Sequence, residues 1–163
     1  MKNILFLISI VFITSCSERR EPREMRTVHT EGNRITTAKT KKELIEKGYE
    51  IFDYIDQETG NTILMQKYFI AFLKNGENRS QTKTVSDSLQ KLHMEHLQRM
   101  FDKGYADISG PFDADGDIRG ITIYNVPTLE IADSLANLDP MVNAGRLKVE
   151  VHPWLAAKGS TLR

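Results

Sequence analysis

Cysteine is almost absent from this chain of 163 residues: Cys16 is the only one, so no disulfide can form within the molecule. Net charge is absent as well. Lysine plus arginine number 22 and aspartate plus glutamate 22, which removes any global field directed at nucleic acid. No apolar run reaches the roughly 20 residues that a lone spanning helix requires. The sequence also has no internal repeat, no phosphate-binding glycine loop, no HExxH zinc motif, and no basic surface interleaved with aromatics in its larger part. What it does have is the length and the 40% hydrophobic content of one domain with a real core.

The charge balance conceals an asymmetry. Met1-Lys2-Asn3 is a short positive start, and Ile4 to Ile13 is an apolar run broken only by Ser9, which reads as a secretory signal over residues 1–15. Ile13-Thr14-Ser15-Cys16 resembles the bacterial lipobox, which implies lipidation of Cys16 and attachment to the cell envelope. Residue 17 is serine rather than aspartate, and by the sorting pattern of such lipoproteins this favours the outer membrane over the inner. From Ser17 to Lys42 the chain carries eight Lys/Arg against four Glu and little that is apolar. That composition predicts a basic flexible tether over residues 16–42 beside anionic lipid. From Glu43 onward there are 13 basic and 18 acidic residues, so a basic leash precedes an acidic domain.

The folded portion opens with an extension at residues 43–66. Lys41 to Lys47 predicts a short helix stopped by Gly48, and Tyr49 to Ile55 a strand that turns through DQETGN into Thr62 to Met65. Tyr68 to Lys74 (YFIAFLK) is apolar on both alternating sets, the mark of a strand buried on both faces. Val85 to Lys103 has helical periodicity, with Val85, Leu89, Leu92 and Met100 on one stripe, His96 in its middle and His93 on its shoulder. Gly104 closes that helix. Tyr105 to Ser109 and Ile118 to Val126 are strands around a DADGD turn. Pro127-Thr128 opens a helix to Leu138, and Asp139-Pro140 ends it. Met141 to Ala144 forms a turn or short helix, and Arg146 to His152 is a half-buried strand that Pro153-Trp154 terminates.

The order β-α-β-β-α-β, with right-handed crossovers, predicts an α+β fold. It is a ferredoxin-like, four-stranded antiparallel sheet with the first and third strands central and both helices on one face. The other face of YFIAFLK then needs cover, from the extension, a second subunit or a ligand-bearing cleft.

Gly104 followed by Ser109-Gly110-Pro111, His96-Leu97 near the helix end, Asp139-Pro140-Met141-Val142 with Ala144-Gly145, and Val149-Glu150-Val151-His152-Pro153-Trp154 together resemble the YCII-related family. That family is a branch of the dimeric α/β-barrel superfamily, and the likeness covers residues 67–158, leaving 159–163 as a tail. It implies a homodimer whose two sheets face each other. It also implies that His96 and Asp139 lie together in a cleft as an acid-base pair. A carboxylate beside an imidazole fixes its tautomer and raises its pKa, which suits proton transfer near pH 7. The same bond could instead only tie helix to turn.

Two functions are therefore open. One is an enzyme of proton transfer, elimination or isomerisation on a small aromatic or carbonyl-bearing molecule, with His96 as base and Asp139 orienting it. The other is a non-catalytic envelope protein that binds a small ligand or assembles with partners. No cofactor, no metal and no nucleic-acid partner is expected. His93-x-x-His96 with Glu95 lacks a third zinc ligand. DADGD has Gly116 two positions early for a calcium loop and Tyr124 where the closing glutamate belongs, so it reads as a hairpin turn. Ser109-Gly110-Pro111 lacks the nucleophile-elbow pattern.

Overall fold

The computed structural model describes residues 31–160, with side chains from residue 39 onward. The expected signal segment, Cys16 and the first part of the expected tether lie outside the described residues. In chain order the elements are α1 (Glu31–Glu46), β1 (Ile51–Ile55), β2 (Thr62–Asn75), α2 (Lys83–Asp102), β3 (Ala106–Pro111), β4 (Ile118–Tyr124), α3 (Leu129–Asn137), α4 (Pro140–Asn143) and β5 (Leu147–Ala157). Among the described residues no helix is long and apolar enough to cross a membrane.

The ferredoxin-like order is present. β2 pairs with β5 along one edge and with β4 along the other, β4 pairs with β3, and every pairing is antiparallel. The first and third strands of the βαββαβ unit, β2 and β4, are thus central, as the alternation of YFIAFLK predicts. Phe69, Ala71 and Leu73 point to the helix side and are buried. There Phe69 and Ala71 join Met100 of α2, Ala106, Tyr124, Val126, and Ala132 and Ala136 of α3 in one core cluster. Leu73 joins a second cluster with Met141 and Leu147. Burying the larger of these side chains, Phe69, Leu73, Met100 and Val126 among them, contributes roughly 1.5–3 kcal/mol each, so these contacts fix α2 and α3 on one face of the sheet.

Three boundaries differ from the sequence reading. Helix α1 is described from Glu31, inside the segment expected to be a flexible tether, and the short helix expected at 41–47 is its end. Gly48, at φ +84, stops it as expected, with its N–H donating to Ile45 O at 2.9 Å. Strand β2 is one continuous strand through residues 62–75, so the extension and the domain share it: β1 pairs with its first part and β4 with its second. Strand β5 does not stop at Pro153 but continues to Ala157, pairing with β2 as far as Met65. It pairs with β2 alone, and on such an edge a proline can present its missing donor to solvent.

The hairpin is also tied across the sheet. Tyr49 Oη donates to Asn125 O at 3.0 Å and Gln66 Nε2 donates to Asn125 Oδ1 at 2.6 Å. The second sheet face carries Tyr68 against Trp154, ring centroids 6.2 Å apart, and Phe72 edge-on to His152 at 5.7 Å. Trp154 keeps 44% of its surface exposed, so this face is left partly open.

Candidate active site

Helix α2 presents a different stripe from the one a wheel centred on Leu92 gives. Val85 and Leu92 are exposed, at 47% and 46%, whereas His93, His96 and Met100 are buried and Leu89 half-buried. The helix is rotated so that both histidines face the protein. Thr82 caps its start by accepting from Val85 N, and at its end Tyr105 N donates to Met100 O beside Gly104, φ +69.

Asp139 is set by local sequence. Pro140 excludes helical backbone at the residue before it, so Asp139 is extended (φ −64, ψ 127) between α3 and α4. Its Oδ1 accepts from Met141 N at 2.8 Å, which caps the single turn of α4. Helix α4 packs against α2. This contact brings Asp139 Oδ2 to 2.5 Å from the Nδ1 of His93. Both groups are buried.

The imidazole joined to Asp139 is therefore that of His93, not His96. His96 lies one turn further on and is 1% exposed. Its Nδ1 accepts from Arg99 Nη2 at 3.1 Å, so the proton of the neutral ring sits on Nε2. Nε2 is buried, and the backbone of Leu135 next to the ring favours its protonated form only slightly. Burial holds the His96 pKa below its ordinary value, outweighing the charge of Asp139, and Arg99 and His93 push the same way. The rise expected for an imidazole beside a carboxylate is thus reversed at His96. That ring is a neutral core group between α2 and α3.

His93, by contrast, borders a cavity of about 410 Å³. The cavity lies on the helix side at the end of the sheet, where Leu73, Gly120 and Pro111 are in register across β2, β4 and β3. The Nδ1 of His93 is bonded to Asp139 Oδ2, and its Nε2 has no protein partner among the described residues. Ser109 also lines the cavity, its Oγ 3.0 Å from Thr122 Oγ1. Gly120 permits the floor: a Cβ there would meet Gly110 O at 2.7 Å. Asp139 also borders Tyr124, whose phenol is pushed well above its ordinary pKa by burial and by that charge.

Three arginines, Arg79, Arg119 and Arg146, complete the charged lining. No sequence motif marks them, since one lies in a loop, one in β4 and one just before β5. Elsewhere, His152 pairs with Glu150 at 2.7 Å on the second sheet face, away from the cavity. Among the described residues no three His, Cys, Asp or Glu side chains come together as a metal site.

No family model matches the chain, and no curated protein sequence matches it. Among solved structures it is similar to 5-chloro-2-hydroxyhydroquinone dehydrochlorinase from Burkholderia phenoliruptrix AC1100, in complex with 2,5-dihydroxybenzoquinone. The identity is 21%, the TM-score 0.41, and the match covers 53% of this chain and 92% of that one.

Proposed function

We propose that this protein is an enzyme of acid-base chemistry, elimination or isomerisation, on a small molecule bound beside His93. The observation that carries the reading is the 2.5 Å bond from His93 Nδ1 to buried Asp139 at the border of the cavity. A carboxylate fixed by an amide donor and an imidazole leaves Nε2 as the one basic atom of the pair that can reach a ligand. Nε2 takes a proton from the substrate, and Asp139 stabilises the imidazolium that results. His93 thus has the base role that the sequence reading gives to His96, with Asp139 orienting it as expected there.

The reading includes a homodimer formed through the second sheet face and an envelope anchor at Cys16. The open aromatic face supports the first and the lipobox resemblance the second. Palmitate labelling of wild type and of Cys16→Ser checks the anchor: equal labelling removes it. For catalysis, a metabolite mixture is incubated with wild type, His93→Gln and His96→Gln, and consumption is followed by mass spectrometry. Loss of turnover in His93→Gln alone supports the reading. Unchanged turnover in that variant removes His93 as the base, and binding without turnover by wild type leaves a ligand-binding protein.

A further inference from the structure

The charge of the cavity runs against that of the domain. From Glu43 onward the chain is acidic, yet the charged residues lining the cavity, apart from His93, are Arg79, Arg119 and Arg146, and no aspartate or glutamate lines it. None of the three guanidiniums is in an ion pair among the described residues. Their bonds go to neutral oxygens: Arg79 Nη1 donates to Arg146 O at 3.1 Å, Arg119 Nη1 to Gly116 O at 3.5 Å, and Arg146 Nη1 to Gln81 Oε1 at 3.2 Å. Arg146 is half-buried and its Nε is a buried donor with no partner. A buried donor on a permanently charged group is costly until an acceptor reaches it.

We infer that the cavity takes a small carboxylate, its anionic end on Arg146 and Arg119 and its apolar body toward Leu73, Leu97 and Met141. Guanidinium is the planar fork that matches a carboxylate in two parallel bonds. The remaining lining is mostly apolar, and the volume is within the range of small-ligand sites. The carboxylate would also hold the carbon next to it in a fixed place relative to the basic Nε2 of His93. The inference rests on the cavity beside His93 being the ligand site, as proposed above.

The test uses the full chain in detergent and isothermal titration with benzoate and butanoate, each paired with its neutral amide, and with inorganic phosphate. His93 ring signals are followed by NMR in the same titrations. Both carboxylates bind and shift the His93 signals, the amides bind at least about tenfold more weakly, and Arg146→Gln removes that preference. Because Arg146 is half-buried, the exposed Arg119→Gln is measured as well, and it weakens carboxylate binding without lowering the melting temperature. The inference is overturned if neither carboxylate binds at millimolar concentration. It is equally overturned if the amides bind as well as the acids, or if phosphate outcompetes both acids in an arginine-dependent way. Amides that shift the His93 signals while acids do not would sink the anion inference and leave the His93 site standing. Arginine-dependent carboxylate binding with turnover indifferent to His93→Gln would do the reverse.

Discussion

His93 and Asp139, 46 positions apart in the chain, meet through Nδ1 and Oδ2 at 2.5 Å. Two short-range rules make the meeting possible: helical spacing turns His93 inward, and the proline at 140 forces an extended Asp139 whose side chain caps the next turn. Neither rule alone makes a pair. The packing of α4 on α2 does.

Removing the carboxylate strips α4 of its cap and His93 of its partner together. Asp139→Ala is expected to lower the unfolding free energy by about 3–5 kcal/mol, the usual cost of breaking a buried pair, of which about 1 kcal/mol is the cap. Asp139→Asn keeps an acceptor for Met141 N and should lose less. Urea denaturation of both variants measures the difference, and equal losses would show that the cap on Met141 N contributes nothing.

Stability should fall on mild acidification because of His96. Its folded pKa lies below the unfolded value near 6.5, so the unfolded chain binds more protons between the two. The stabilising effect of the neutral ring is therefore complete above about pH 6.5 and is lost as pH falls through the depressed folded value. Denaturation midpoints at pH 7.5 and pH 5 should differ more for wild type than for His96→Leu. An identical pH slope in the two would contradict the buried neutral ring.

Gly120 is the closest backbone approach in the cavity floor. Gly120→Ala places a methyl group against Gly110 O, where an added Cβ would lie at 2.7 Å. The expected cost is about 1–3 kcal/mol, as for overpacking, with ligand binding weakened as β3 moves from β4. Thermal melting and calorimetric titration read the two effects. A variant as stable as wild type would mean that β3 gives way freely.

If the second sheet face joins two copies, a charge placed in it should separate them. Phe72 lies on that face beside His152. Phe72→Glu is expected to shift the mass found by light scattering from twice the chain mass to that of one chain. A wild type that already runs as a single chain would remove the homodimer.

The sheet was legible because its strands obey local rules. YFIAFLK is apolar on both sets, the β3–β4 turn is rich in aspartate and glycine, and Leu147, Val149 and Val151 alternate inward. The site was legible in part. Asp139 came from the family resemblance of its Asp-Pro motif, and His96, with His93 on its shoulder, from helical periodicity. The choice between His93 and His96 depends on which neighbour faces each ring, α4 for one and α3 for the other, and a wheel contains no neighbours. Arg79, Arg119 and Arg146 share no spacing at all, and only the folded backbone brings them to one hollow.

The passage of β2 through Thr62 to Gln66 bears on where the gene could be cut. Met65 and Gln66 are the ladder partners of Ala157 and Ala156, so a version starting at residue 67 would strip the far end of β5 of its neighbour. The bared strand end at Ala156 and Ala157, next to the exposed Trp154 and Leu155, is a template for self-association. The hairpin thereby acts as a guard against aggregation, and its loss would first be seen as turbidity.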